Sequence, residues 1–139
     1  MKHFKLFSVL FVFLFCSFVK SDCNVESAKS FCIKNLDSGF SMLKTYDIED
    51  GDEEFSFIFS RGVNYMITNA LVTNPSSQVE VRLYDKSKKL IFTNYHKRKK
   101  EFSKTLYSCT YTGIHYIQFK SPKNATKVCA AGVLGYKRR

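Results

Sequence analysis

Beyond its first twenty residues the chain has no long apolar run, and it shows no internal repeat, low-complexity tract or linker. These absences exclude a membrane-spanning helix in the remainder, a repeat array and a second domain. Histidine is scarce: apart from His3 there are only His96 and His115. No G-x-S-x-G elbow, P-loop, dinucleotide fingerprint or H-E-x-x-H occurs, so hydrolases, nucleotide enzymes and zinc proteases carrying those motifs are excluded. His115 lies inside an aromatic strand pattern, where a packed ring is expected. His96 stands beside four cations with no nucleophile at a motif-like spacing. Carboxylate pairs that meet only in the fold stay open. The expectation is a protein that is not an enzyme, with no catalytic residues and no cofactor except calcium as an alternative.

What is present begins with a secretory signal. Lys2 and Lys5 supply a positive start, and Leu6 to Val19 form an apolar stretch broken by Ser8 and Ser17. Its length, about 14 residues, falls short of the roughly 20 that a spanning helix needs. Val19 and Ser21 occupy the minus-three and minus-one places for cleavage before Asp22. Neither Cys16 nor Cys23 follows the small residue that lipidation requires. Residues 1–21 are therefore expected to be a signal peptide and 22–139 a single secreted domain, extracellular or periplasmic. Loss of the signal leaves 19 basic against 12 acidic residues, a net charge of +7. Apolar and aromatic content suffices for a core.

Four cysteines remain in the mature chain: Cys23, Cys32, Cys109 and Cys129. In a small exported domain they are expected to form two disulfides, and so not to act as nucleophiles. The rival is a four-cysteine zinc site, but such sites bring ligands in close pairs and here the gaps are long.

Asn24 to Asp37 carries a helical pattern, with Val25, Ala28, Cys32 and Leu36 on one face. Asp22 or Asn24 can cap it, Glu26 suits its first turn, and Ser38-Gly39 ends it. After Gly39 the period becomes two. Phe40, Met42, Tyr46 and Ile48 share a face, with Lys44 as the misfit. Further strands are expected at 55–60, from Val63, and at 79–84, 90–95, 102–110, 114–120 and 128–136. Eight strands with frequent turns predict a mainly β fold: an antiparallel, jelly-roll-like β-sandwich with the helix packed on it. Strands 79–84, 90–95 and 102–110 are expected to form a meander, and 128–136 to pair with 114–120.

These placements bear on the disulfides. Cys23 and Cys32 are nine residues apart, about 13.5 Å along a helix, whereas a disulfide needs Cα atoms within roughly 4.4–6.8 Å. Cys109 and Cys129 fall at opposite ends of the expected 114–120/128–136 pair. The favoured pairing is therefore Cys23–Cys129 with Cys32–Cys109, with the reverse order open, and the helix serves as a strap.

The stretch Phe57-Ile58-Phe59-Ser60-Arg61-Gly62-Val63-Asn64-Tyr65, then Val81-Arg82-Leu83-Tyr84-Asp85, then Thr110-Tyr111-Thr112-Gly113-Ile114-His115-Tyr116-Ile117, resembles the pre-peptidase C-terminal (PPC-like) jelly-roll domain. The whole mature chain resembles more closely a set of small secreted bacterial proteins without assigned function. The shared elements are the two-Cys helix, the Gly39-Phe40-x-x-Leu43-Lys44-x-Tyr46 strand and the terminal Val133-Leu134-Gly135-Tyr136-Lys137. This resemblance implies a sandwich and an accessory role. Some relatives of the pre-peptidase type bind calcium or matrix polymers through carboxylates, and no such ligand set can be matched here.

Two charged clusters are candidate sites. Glu49, Asp50, Asp52, Glu53 and Glu54 crowd around Gly51, where a hard cation such as calcium would relieve repulsion. Glu49, Asp50 and Asp52 are the candidate ligands, although the spacing is not that of an EF-hand; the alternative is a solvated turn. Lys97, Arg98, Lys99 and Lys100 form the candidate polyanion site, and Lys86, Lys88 and Lys89 a second cluster expected at the other end of the sheet. Both can instead serve to keep strand ends soluble. The expected partner is an acidic polysaccharide or a cell-surface protein, since export argues against nucleic acid. Asn124-Ala125-Thr126 is a glycosylation sequon that matters only in a eukaryotic pathway.

Overall fold

The computed structural model describes residues 23–49, 52–74, 79–95, 103–121 and 128–139. Helix α1 (Glu26–Lys34) precedes β1 (Ser41–Ile48), β2 (Glu53–Phe59), β3 (Val63–Leu71), β4 (Glu80–Tyr84), β5 (Leu90–Thr93), β6 (Lys104–Ser108), β7 (Gly113–Lys120) and β8 (Ala130–Arg138). Two antiparallel four-stranded sheets result, in the orders β1-β8-β3-β6 and β2-β7-β4-β5. The fold is the expected β-sandwich.

Alternation builds the core, because every second side chain of a strand points to the same face. Phe59, Val81, Leu83, Ile117 and Phe119 of the second sheet meet Tyr46, Ile48, Tyr65, Ile67 and Leu134 of the first. Phe59 stacks on Tyr65 at 4.1 Å between ring centroids and on His115 at 4.7 Å. Phe119 reaches across to Gly132, where a Cβ would stand 2.4 Å from the Phe119 Cζ. Only glycine leaves room for that ring.

β8 is buried on both faces, from Ala130 through Gly135. Its outer face and that of β3 present Ala70, Ala131 and Val133, onto which α1 lays Val25, Ala28 and Cys32. The small side chains let the helix approach, and the Thr68 hydroxyl donates to the Cys32 carbonyl at 3.1 Å. The predicted stripe therefore covers an apolar sheet face. The regular helix is shorter than expected, nine residues. Asn24 Oδ1 accepts from the Glu26 N–H, and Lys29 pairs with Glu26 and with Asp47.

Four expectations are corrected. β5 and β6 do not continue a meander. They are edges of different sheets, with Phe92 and Tyr107 facing each other across the core at 6.2 Å. Alternation alone fits either pairing. β8 pairs with β1 and β3, and not with β7. A strand apolar on both faces belongs at the centre of the sheet that the helix covers.

Cys23 is bonded to Cys129, with Cα atoms 5.5 Å apart, but Cys32 and Cys109 remain separate thiols. Cys32 lies under the helix on the outer face of the first sheet, whereas Cys109 lies in the core between the sheets. A layer of β-sheet stands between them. Finally, β1 bulges between Met42 and Lys44, which pair with Gly135 and Leu134 respectively. The extra residue puts Met42 on the opposite face from Tyr46, while Lys44 stays on the Tyr46 face, exposed, with its ammonium 5.4 Å from the Tyr46 ring centroid.

Candidate functional site

Lys97, Arg98, Lys99, Lys100, His96, Asp50 and Asn124 lie outside the described residues. Around the acidic turn the described carboxylates are spread over separate tasks. Glu53 accepts the Glu49 N–H at 3.1 Å, Asp52 accepts the Ser121 N–H at 3.0 Å and lies 3.8 Å from Lys120, and Glu54 pairs with Lys88. Among the described residues no three His, Cys, Asp or Glu side chains gather as metal ligands.

His115 is fully buried. Its Nδ1 lies 3.0 Å from the Gly113 carbonyl, which can only accept, so in the neutral ring Nδ1 carries the proton and Nε2 accepts from the Tyr107 hydroxyl at 3.3 Å. Phe59 and Tyr111 stack on the ring at 4.7 and 4.9 Å. Burial, with a contribution from the neighbouring Cys109 thiol, pushes the Tyr107 hydroxyl up to about 12. A sealed histidine with both nitrogens engaged packs and orients; it has no access to a substrate.

The two outer sheet faces differ. On that of the first sheet α1 packs over β3 and β8 and leaves Met42 and Leu106 exposed on the flanking strands, while no described element covers that of the second. Cross-strand register lays out the latter in rows: Ile58 beside Ile114, then Ser56, Tyr116 and Tyr84, then Glu54, Gln118 and Arg82. The polar rows satisfy one another. Arg82 pairs with Glu80, the Tyr84 hydroxyl donates to Gln118 at 3.2 Å, and Lys88 lies 3.4 Å above the Tyr116 ring while pairing with Glu54. Ile58 and Ile114 have no such cover. They are 62% and 45% exposed and, with Ser56 and Phe57, line a shallow depression.

At the Ile58 end three turns and the C-terminus converge. The Arg61 N–H donates to Thr112 Oγ1 at 3.0 Å and the Gly62 N–H to the Cys109 carbonyl at 2.9 Å, tying the β2–β3 turn to the β6–β7 turn. The buried Tyr111 hydroxyl lies near the Lys86 backbone of the β4–β5 turn without a well-formed hydrogen bond. Val63 pairs with Arg138, and Arg139 Nε donates to Asn64 Oδ1 at 3.4 Å. Arg61, Lys86, Lys88, Lys89, Arg138 and Arg139 are all exposed at this end. Asp85, within the cluster, uses Oδ1 to accept the Ser87 and Lys89 N–H groups. Glu49, Asp52 and Glu53 lie at the far end.

Sequence reasoning singled out Lys86, Lys88 and Lys89 but missed Arg61, Arg138 and Arg139, which join them only through strand order. It also passed over Ile58 and Ile114. Apolar residues at even positions opposite the core-facing Phe57 and Phe59 were the available signal.

No family model matches the chain, and no curated protein matches it. Among solved structures it is similar to PliG of Aeromonas hydrophila, a periplasmic inhibitor of g-type lysozyme. The TM-score is 0.51 and the identity 8%, over 71% of this chain and 87% of that one. At that identity the likeness is one of fold.

Proposed function

We propose that this is a secreted, non-enzymatic binding module that presents the uncovered outer face of its second sheet to a macromolecular partner. The observation that carries the reading is the adjacent exposed pair Ile58 and Ile114, on the sheet face that no described element covers. An apolar centre with a polar rim suits an interface. The signal-like start and the Cys23–Cys129 bridge support an oxidising compartment outside the cytoplasm. The buried, fully engaged His115 supports a role without catalysis. A sandwich of similar fold that inhibits g-type lysozyme supports a protein as partner, and the pre-peptidase-like pattern supports an accessory role.

The test measures binding of the mature domain to g-type lysozyme, hyaluronate and calcium, with wild type and Ile58→Asp/Ile114→Asp compared. Binding to lysozyme or hyaluronate that the double variant loses, with its circular dichroism unchanged, supports the reading. Binding unchanged in the variant, or heat only with calcium, contradicts it.

A further inference from the structure

We infer that the partner on this face is an acidic protein surface, which seats an apolar side chain on Ile58 and Ile114 and sets its carboxylates against the basic end. The inference rests on the binding face proposed above and adds the chemistry of what it binds.

The first ground is charge placement. Arg61, Lys86, Lys88, Lys89, Arg138 and Arg139 come from three separate chain segments, and strand pairing brings them to the end of the sandwich at which Ile58 and Ile114 lie. Among them only Lys88 has an ion pair among the described residues, with Glu54. Asp85, the acid in their midst, is committed to two backbone N–H groups. The end therefore presents six cations against Asp85 and Glu54, an excess whose field steers a partner of opposite sign.

The second ground is Lys88 itself. It holds a left-handed backbone, φ 62°, at the place in its hairpin turn where glycine or asparagine is usual. That conformation sends its ammonium over the Tyr116 ring, so a cation sits between the aromatic row and the basic end. A non-glycine residue kept in this region is consistent with a functional placement.

The third ground separates protein from polysaccharide. A uronate or sulfated glycan would use the cations but offers the depression no more than an N-acetyl methyl or the C–H face of a sugar ring, and no large apolar side chain. A protein offers both in one surface, an apolar anchor inside a charged rim. Ile58 and Ile114 thus favour the protein.

The test titrates the mature domain with a random copolymer of glutamate and tyrosine, with polyglutamate, with hyaluronate and with phosphatidylglycerol vesicles, each at two salt concentrations. The inference predicts that the copolymer binds at least about tenfold more tightly than polyglutamate or hyaluronate, with affinity falling as salt rises. Arg61→Ser/Lys86→Ser/Lys89→Ser should weaken all binding about tenfold, and Ile58→Ser/Ile114→Ser should erase the preference for the copolymer. Equal binding of hyaluronate or of the vesicles, indifferent to the isoleucines, overturns the inference in favour of a glycan or a lipid surface. Loss of binding in the isoleucine variant with no effect of the charge variant overturns the acidic partner but leaves the binding face standing. The reverse pattern overturns the binding face itself. No binding to any probe overturns the inference.

Discussion

Gly132 shows how closely single residues decide this sandwich. With the would-be Cβ 2.4 Å from a ring carbon of Phe119, Gly132→Ala must displace a fully buried aromatic. Overpacking of this kind costs about 1–3 kcal/mol. The melting temperature should fall by several degrees, and Gly132→Ala/Phe119→Leu should recover part of the loss. The Cys32 thiol makes a second residue-scale prediction. Burial raises it from 9.0 to about 11, opposed in part by its hydrogen bond with Thr68. The unfolded chain therefore releases this proton first as pH rises, so stability holds below pH 9 and falls between 9 and 11. Thermal unfolding followed from pH 8 to 10 should show that decline, and Cys32→Ala should remove most of it. A slope unchanged by the substitution contradicts the assignment. Neither residue announces its role in the sequence: Gly132 sits in an unbroken apolar run, and Cys32 looked like half of a disulfide.

At the scale of elements, much was legible, because burial imposes a period that the sequence must carry. The apolar stripe of α1, the alternation of β2 and the run from Ala130 to Gly135 each state which faces are covered. Pairing was less legible. Whether β6 lies beside β5 or across the core from it changes no inward-facing residue of either strand, so only the closure of the whole sandwich decides. The bulge at Leu43 and the polar stitches were hidden for a related reason. Asn69 and Asn94 accept the Val79 and Val81 N–H groups at 2.8 and 2.7 Å, side-chain bonds that no periodicity of the sequence announces. The Cys23–Cys129 bridge closes a loop 106 residues long and anchors the start of α1 beside β8. By the chain-entropy estimate it contributes about 4–5 kcal/mol. Cys23→Ser/Cys129→Ser should lower the urea midpoint accordingly, and amide exchange should rise first in α1, whose nine residues depend on docking for their order. Equal protection of α1 in the variant and the wild type would contradict the anchoring role.

For the whole molecule, the decisive feature is asymmetry. α1 covers β3 and β8 of one sheet, no described element covers the other, and the cations of three segments collect at the end nearest the exposed isoleucines. Of the site, the sequence made visible the lysines of the β4–β5 turn and the acids near Gly51, because clusters contiguous in sequence are easy to see. The open face was not visible, since which sheet receives the helix is settled by Ala70, Ala131 and Val133 and not by any residue of the face left bare. Binding at this face is what sets the molecule's function. The most direct measurement is the map of backbone amide shift changes when the isotope-labelled mature domain is titrated with the glutamate–tyrosine copolymer. The account predicts the largest changes at Ser56, Ile58, Ile114 and Tyr116, with smaller ones at Arg61 and Lys86. Changes centred on α1, on Glu49 and Asp52 or on residues 97–100, with β2 and β7 unmoved, would contradict it.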